Sequence, residues 1–363
     1  MDAFFAAVEQ RDHPQYRGIA IAVGGLPGSR GVVSTCSYEA RKFGIHSAMS
    51  SNLAIKLCPH LVFVHGNFEA YRQASAIIRK IFHEYTDLVE PVSIDEAYLD
   101  VTENKKNNPS ATRLAEEIRQ KIKKETQLTA SAGVSYCKFL AKIASDLDKP
   151  DGLVVITPQN AIAVLNKLPI GKFHGIGKAT EEKMKCLGIC SGEDLRKWEL
   201  KDLIKQFGKV GKYYYNIVRG IDDRPVETTR VRKSISMERT FSSDINDLAV
   251  LKKYLITLAD DLSAKMQEKR FKAWTLTVKL KYSDFEIAQK SCSARRSFDE
   301  KEIMVRQAGH LLSALFDRSR SVRLLGMCLS NLDWMEQKKN RQLILPFYDS
   351  NEYIVISNHD KIF

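Results

Sequence analysis

The spacing of apolar residues divides the chain into a mixed first part, a helical middle and a second mixed part. In the first 156 residues, apolar positions recur at helical spacing in some segments and form short strand-like runs in others. The predicted helices are 4–11, 37–43, 50–57, 67–85, 110–125 and 138–147, and the predicted strands are 19–23, 31–35, 130–135 and 153–156. This mixture predicts a sheet backed by helices on one face.

Residues 158–220 are predicted to be mostly helical, and a polar linker near 221–230 follows them. The last module then has the predicted order β-α-β-β-α-β, with strands at 231–241, 272–283, 285–297 and 322–332 and helices at 247–268 and 300–316. In strand 272–283, Lys279 and Lys281 belong to a polar set that alternates with apolar residues. Such a basic face suits a DNA backbone, and a merely solvated strand face is the alternative.

Length and charge indicate a multi-domain protein with a polyanionic partner. The chain has 363 residues, 44% of them hydrophobic, which predicts two to four domains. The formal net charge is +12, and residues 230–341 alone carry +9. A compact basic module favours binding to a polyanion. The alternative is a surface that is merely soluble.

Several classes of site and of location are disfavoured by the composition. The seven cysteines form no CxxC pair and the eight histidines no HxxxH pair, so neither a zinc site nor a disulfide framework is indicated. A reducing cytoplasm fits this cysteine usage best. No run of about 18 apolar residues is present, so we expect no membrane insertion.

The segment S-I-D-E-A-Y-L-D at 93–100 places the adjacent acids Asp95 and Glu96 between apolar residues. A pair of this kind is costly unless a cation compensates it. Adjacent carboxylates at a hairpin turn can bind Mg²⁺ and leave coordination sites for substrate phosphates, so phosphoryl transfer is the first hypothesis. A solvated Asp-Glu turn is the alternative.

Two further segments indicate binding sites outside this turn. In L-P-I-G-K-F-H-G-I-G-K at 168–178, Gly175 and Gly177 permit a tight turn between helices, and free N–H groups before Lys178 could hold a phosphate. An ordinary helical turn is the alternative. The apolar hexapeptide Q-L-I-L-P-F at 342–347 suggests a docking peptide in a polar tail, and a terminal strand folded back on the body is its alternative.

Four motifs, taken together, resemble those of Y-family DNA polymerases, in particular the bacterial DNA polymerase IV group. They are D-A-F-F-A-A-V-E at 2–9, S-Y-E-A-R-K-F-G at 37–44, S-I-D-E-A at 93–97, and K-F-L-A-K-I-A-S at 138–145 with Lys149-Pro150. They stand in the family's order, and the resemblance spans residues 1 to about 347.

The resemblance implies an α+β multidomain fold of the right-hand polymerase type. The palm would comprise 1–10 and 67–156, the fingers 11–66, the helix-hairpin-helix thumb 157–220 and the β-α-β-β-α-β little finger 231–335. Residues 221–230 would be a linker, and 336–363 a tail that carries a sliding-clamp peptide.

The implied function is error-prone translesion DNA synthesis, in which two Mg²⁺ ions promote addition of a deoxynucleotide to a primer 3'-OH. Asp95, Glu96 and the main-chain carbonyl of Met1 would bind the ions, with Glu96 at the primer end. Phe5 would be the steric gate under the sugar. The triphosphate contacts would be Thr35, Tyr38, Arg41 and Lys149.

The implied partners are primer-template DNA, deoxynucleoside triphosphates and a sliding clamp, and the protein would act as a monomer. The expected DNA contacts are Gly175, Gly177, Lys178, Lys279 and Lys281. The expected clamp contacts are Gln342, Leu343, Leu345 and Phe347.

At its start the sequence departs from the family pattern, which is a short apolar strand that ends in Asp-x-Asp. Met1 takes the middle position and Asp2 the second aspartate, so the first aspartate, a metal ligand in the family, is not in this sequence. We expect that Met1 is an internal methionine of a longer reading frame. A catalytically impaired scaffold that binds DNA and clamp, and a site completed by Asp2 or by the terminal amine, are the alternatives. For the chain as written we expect weak or no polymerase activity.

Overall fold

The computed structural model describes residues 1–294 and 297–334 and the strand Ile354–Ile356. It forms two compact units, Met1–Arg230 and Val231–Phe363. No helix among the described residues is long and apolar enough to cross a membrane.

The first unit opens with helix α1 and a small three-stranded sheet. The elements are α1 (Phe4–Asp12), β1 (Ile21–Gly24), β2 (Val33–Cys36), α2 (Tyr38–Arg41), α3 (Ser51–Leu57) and β3 (Val62–Val64). Strand β1 lies between β2, to which it is antiparallel, and β3, to which it is parallel. The apolar pattern did not predict β3, whose three residues are too few for a period to be recognised.

The next segment carries the remaining strands of this unit. Its elements are α4 (Phe68–His83), β4 (Val89–Pro91), β5 (Ala97–Leu99), α5 (Ala111–Thr126), β6 (Ala132–Ser135), α6 (Lys138–Leu147) and β7 (Leu153–Ile156). They form two separate pairs rather than one sheet, because β4 pairs only with β5, and β6 only with β7, among the described strands.

A cavity of about 220 Å³ is lined by residues of both β5 and β6. Apolar side chains of α5 line it, among them Leu114, Ile118 and Ile122. The first two residues of the chain contact the turn between β4 and β5 and the segment that precedes β6. The terminal nitrogen of Met1 donates to the carbonyl of Asp95 at 3.0 Å, and the main-chain N–H of Asp2 donates to the carbonyl of Thr129 at 3.1 Å.

The first unit ends in helices, as predicted. They are α7 (Ala161–Lys167), α8 (Lys178–Cys186), α9 (Gly192–Arg196), α10 (Leu200–Phe207) and α11 (Val210–Ile217). Their apolar faces share one core with α6, in which Phe139 and Leu140 of α6 pack with Phe173 and Met184. Helix α6 therefore joins the strand-bearing part of the unit to its helical part.

The second unit confirms the predicted order β-α-β-β-α-β. Its elements are β8 (Ser234–Ile245), α12 (Leu248–Lys269), β9 (Phe271–Tyr282), β10 (Ile287–Ser293), α13 (Lys301–Leu315), β11 (Val322–Trp334) and β12 (Ile354–Ile356). The strand order is β12-β10-β9-β11-β8, and α12 and α13 contact the same core. The apolar residues that recur at helical spacing in α12, from Leu251 to Met266, are buried.

Two details of this unit differ from the sequence prediction. The alternation in β9 is interrupted, because Ala273 is buried and Trp274 is only partly buried. Strand β12 lies in the predicted tail and pairs antiparallel with β10. The predicted clamp peptide at 342–347 lies outside the described residues.

Candidate active site

Asp95 and Glu96 lie in the turn that joins β4 to β5. The main-chain N–H of Val92 donates to the carbonyl of Glu96 at 2.9 Å and closes the turn. The hydroxyl of Ser93 donates to one carboxylate oxygen of Asp95 at 2.8 Å. Side-chain exposure is 22% for Asp95 and 33% for Glu96, and both residues line the cavity described above. The two acids are thus accessible from solvent on a defined turn.

Two cations compensate this acid pair, as its desolvation requires. The terminal ammonium of Met1 lies 3.5 Å from a carboxylate oxygen of Asp95. The Nζ of Lys142, on α6, lies 2.9 Å from Oε1 of Glu96. Burial of Lys142 would lower its pKa, but its hydrogen bond to Glu96 and the charges of Glu96 and Asp146 raise the pKa above its ordinary value.

The positive charges continue along α6 to the expected triphosphate lysine. Asp146 lies 3.6 Å from the Nζ of Lys142 and 2.9 Å from the Nζ of Lys149. Burial of Asp146 would raise its pKa, and its contacts with Lys149 and Lys142 lower the pKa below its usual range. Lys149 also lines the cavity beside Asp95 and Glu96. Lys149 therefore shares one cavity with the acid pair.

The carboxylate oxygens of Asp95 and Glu96 are ligands of the type that a hard cation requires. Carboxylate oxygens are the ligands that Mg²⁺ prefers in proteins. Among the described residues, no group of three or more histidine, cysteine, aspartate or glutamate side chains could hold a metal ion together. Asp2 is directed elsewhere: its carboxylate accepts hydrogen bonds from the hydroxyl of Ser131 at 2.7 Å and from the main-chain N–H of Asp151 at 2.9 Å.

Phe5, the expected steric gate, belongs to an aromatic cluster. Its ring stacks on Tyr71 at a centroid distance of 4.2 Å and an interplanar angle of 9°, and Phe68 contacts it edge-on at 5.7 Å. The hydroxyl of Tyr71 donates to the carboxylate of Glu9, which is 2% exposed. Burial, followed by the bond to Glu9, raises the pKa of Tyr71 well above its usual range. The cluster keeps the Phe5 ring in one orientation.

Tyr38, Arg41 and Thr35 come from β2 and the short helix α2. The guanidinium of Arg41 lies over the ring of Tyr38, 4.5 Å from its centroid, and Arg41 is exposed. The hydroxyl of Tyr38 is buried and has no hydrogen-bond partner within the described part of the chain. Thr35 lies on β2, paired with Val23 of β1. A buried hydroxyl without a partner is costly, so this atom suits a ligand that accepts a hydrogen bond.

The residue that caps α6 was missed by the sequence analysis. No side chain caps this helix locally, and the carboxylate of Asp222 accepts a hydrogen bond from the N–H of Phe139 at 2.9 Å. Arg224 pairs with the same carboxylate, whose side chain is 3% exposed. The sequence contains no local signal for this contact, because the cap lies 83 residues further along the chain. Asp222 fixes the start of the helix that carries Lys142.

The predicted helix-hairpin-helix turn precedes α8. Gly175 has a φ of +95°, which favours glycine. Gly177 is the N-cap of α8 and has no side-chain cap bond, and the exposed Lys178 is the first residue of the helix. The N-terminus of α8 therefore presents N–H groups and a positive charge at the surface.

In the second unit, Lys279 and Lys281 lie on the sheet face opposite the helices. Lys279 forms an ion pair with Glu238 of β8 at 3.0 Å, and Lys281 lies over the ring of Phe285 at 4.7 Å. Hydroxyl pairs join the neighbouring strands on this face, Thr275 with Ser293 and Thr277 with Ser291, both at 2.8 Å. The face is polar and partly basic.

Three family models match the chain. The impB/mucB/samB family model matches residues 1–146, and the C-terminal domain model of the same family matches residues 232–345. A model described as the thumb domain of DNA polymerase-iota matches residues 171–222.

Curated relatives and a solved structure agree with these matches. A DNA polymerase IV of Akkermansia muciniphila is 48% identical over 342 residues, which is 94% of each chain. A DNA polymerase IV 2 of Agrobacterium fabrum is 51% identical over 92% of this chain and 93% of its own. The solved structure of a Y-family DNA polymerase chimera is 31% identical with a TM-score of 0.82, and the match covers 91% of this chain and 96% of that chain.

The fold and these matches together place the chain among the template-directed DNA polymerases. It belongs to the Y-family, in the group of the bacterial DNA polymerases IV. The resemblance and the fold class inferred from the sequence are confirmed.

Proposed function

We propose that this protein adds deoxynucleotides to the 3'-OH of a primer by phosphoryl transfer at the turn that carries Asp95 and Glu96, with two Mg²⁺ ions as cofactors. The observation that carries the proposal is that two partly exposed carboxylates line the same cavity as Lys149. Bound divalent ions would polarise the reacting oxygens and neutralise developing charge. Error-prone synthesis across damaged template bases is the proposed role in the cell.

Different residues would bind the metal ions and the triphosphate in this reaction. Asp95, Glu96 and the carbonyl of Met1 supply oxygen ligands for the ions. Arg41 and Lys149 neutralise the negative charge of the triphosphate. The guanidinium of Arg41 can bind two phosphate oxygens at once, and the ammonium of Lys149 supplies a compact positive charge. The hydroxyls of Thr35 and Tyr38 donate to phosphate oxygens, which would give the buried hydroxyl of Tyr38 a partner.

Phe5 excludes ribonucleotides in this proposal. Its ring is held between Tyr71 and Phe68, so it cannot turn aside without loss of the stacking contact. A 2'-hydroxyl on the nucleotide would meet this ring. The cluster therefore favours deoxynucleotides.

The proposed partners follow the surfaces described above. Primer-template DNA is held at the N-terminus of α8 by Gly175, Gly177 and Lys178, and on the open sheet face by Lys279 and Lys281. A sliding clamp binds the peptide at 342–347. The protein works as a cytoplasmic monomer, with the palm, fingers, thumb, linker and little finger at the boundaries given by the sequence analysis.

A second candidate function is a DNA- and clamp-binding scaffold with impaired catalysis. It is favoured because, among the described residues, no third carboxylate joins Asp95 and Glu96 at the turn. Two carboxylates supply little negative charge for two divalent ions and a triphosphate.

Primer extension with Mg²⁺ and deoxynucleotides separates the two candidates. It is run on the 363-residue chain and on the same chain preceded by an apolar segment that ends in aspartate, with Glu96→Gln in the extended chain as the matched control. Extension by the longer chain alone, abolished by Glu96→Gln, supports the polymerase and the importance of the first aspartate. No extension by either chain, with primer-template binding intact, supports the scaffold. Robust extension by the 363-residue chain overturns the expectation that it is impaired.

A further inference from the structure

Four alternating charges form a row that leads from the acid pair to the phosphate lysine. We call Glu96, Lys142, Asp146 and Lys149 the charge row. Successive contacts are 2.9 Å, 3.6 Å and 2.9 Å long. Lys142 and Asp146 lie between the proposed metal ligand Glu96 and the proposed phosphate ligand Lys149.

The middle contact of the charge row, between Lys142 and Asp146, is the longest of the three. Lys142 is nearer to Glu96 than to Asp146, and Asp146 is nearer to Lys149 than to Lys142. Lys142 and Asp146 are one helical turn apart, so rotation of the lysine side chain can exchange one acid for the other without movement of the backbone.

The helix beneath the row is well anchored. Phe139, Leu140, Ile143 and Ala144 of α6 are buried in the helical core, and Asp222 caps the start of the helix. Lys142 itself is only 15% exposed, so its ammonium must remain beside an acid. Asp146 is the other acid within its reach among the described residues.

We propose that Lys142 is a positioning residue that couples cation binding at Glu96 to the release of Lys149. A divalent cation on Glu96 displaces Lys142, which then pairs fully with Asp146. Asp146 in turn releases Lys149, whose ammonium becomes free for a phosphate. This inference rests on the proposed function of Glu96 as a metal ligand and of Lys149 as a phosphate ligand.

The test measures Mn²⁺ binding to the full chain by electron paramagnetic resonance, without DNA or nucleotide. Lys142→Met removes the competitor and should raise the Mn²⁺ affinity about threefold or more, the size expected for a partly exposed ion pair. Asp146→Asn leaves Lys142 with Glu96 as its only acid and should lower the affinity by a similar factor. In the double variant, the effect of Asp146→Asn should shrink, because no lysine remains to be redirected.

Lys138→Met is the matched control. Lys138 lies on the same helix and pairs with Glu90 rather than with Glu96, so its loss should leave Mn²⁺ affinity unchanged. A second readout is the binding of inorganic pyrophosphate in the presence of EDTA, which Asp146→Asn should strengthen because Lys149 loses its partner.

The outcomes distinguish the coupling from the metal site itself. If Glu96→Gln does not weaken Mn²⁺ binding, the proposed metal site is wrong. If Glu96→Gln weakens binding but a folded Lys142→Met binds Mn²⁺ no better than the wild type, the coupling is wrong and the metal site stands. The coupling is also overturned if Asp146→Asn has the same effect with and without Lys142.

Discussion

The carboxylate of Asp2 accepts a hydrogen bond from the main-chain N–H of Asp151 at 2.9 Å, and so connects the start of the chain to the turn that follows Lys149. Its other oxygen accepts from the hydroxyl of Ser131 at 2.7 Å, and Asp2 is 2% exposed. The cost of burying this carboxylate is offset by the two hydrogen bonds. Asp2 therefore stabilises the segment that carries Lys149.

Asp2→Asn should lower the free energy of unfolding of the first unit by about 1–3 kcal/mol, the cost of an unsatisfied buried group. An amide offers one acceptor oxygen, so its NH₂ group would have to donate to the hydroxyl of Ser131, and the hydroxyl hydrogen that now bonds to Asp2 would lose its acceptor. Urea denaturation can be followed by the fluorescence of Trp198 after Trp274→Phe and Trp334→Phe, which leave it as the only tryptophan. Asp87→Asn, at a carboxylate that is 79% exposed, is the control and should change stability little. Equal effects of the two variants would contradict this role of Asp2.

Local patterns predicted much of the fold, because the period of apolar residues is set within each element. Helix α6, helix α12 and the order of elements in the second unit follow from such periods. The acid pair was recognisable because carboxylates between apolar residues are unusual. These features require only residues close together in the sequence.

The unpredicted features depend on residues that are distant in sequence. Asp222 caps α6 from 83 positions away, and Glu9 accepts from Tyr71 across 62. The separation of the β4–β5 pair from the β6–β7 pair depends on strand pairing, which single-strand patterns do not specify. Neither Lys142 nor Asp146 was singled out, because their partners are identified only by contacts in the fold.

Phe5→Ala should let the protein accept ribonucleotides, with the ratio of kcat/KM for ATP to that for dATP raised about tenfold or more. Loss of the ring opens the space next to Tyr71 and Phe68, where a 2'-hydroxyl would otherwise be rejected. The ratio is measured by single-nucleotide primer extension with the chain that shows extension. Phe43→Ala removes a ring that contacts His60 instead and should leave the ratio unchanged. If the ratio is unchanged in Phe5→Ala, Phe5 is not the steric gate.

Asp222 should make the stability of the first unit sensitive to acid. Burial would raise the pKa of Asp222, but its hydrogen bonds from Arg224 and from the N–H of Phe139 lower the pKa below its ordinary value. Because the folded-state pKa is below the unfolded value of about 4, this contribution is present above pH 4 and is lost as the pH falls through the folded-state pKa. Asp222→Asn should therefore flatten the decline in unfolding free energy at acid pH. The neighbouring, exposed Asp223 offers the control Asp223→Asn, which should leave the pH profile as in the wild type.

Gly177 should tolerate alanine but not aspartate when DNA binding is measured. Its φ is −83° and a Cβ would meet nothing within 4 Å, so Gly177→Ala should keep both stability and DNA affinity. An aspartate at this N-cap would accept hydrogen bonds from the free N–H groups at the start of α8. Its negative charge would also repel a phosphate. Gly177→Asp should thus keep or slightly raise the melting temperature and weaken primer-template binding severalfold in fluorescence anisotropy. Equal binding by both variants would argue against a phosphate at this helix start.

Glu238→Gln should strengthen DNA binding by the second unit's open sheet face. Glu238 pairs with Lys279 at 3.0 Å, so the lysine's charge is partly neutralised before DNA arrives. Removal of the carboxylate should increase affinity about threefold at low salt and steepen the slope of log affinity against log salt by about one. Glu268→Gln is the matched control, because it removes the same negative charge from α12, the helix that lies on the opposite side of the sheet. If DNA affinity increases equally in the two variants, binding depends on the overall charge of the protein, and the assignment of Lys279 to the DNA contact is wrong.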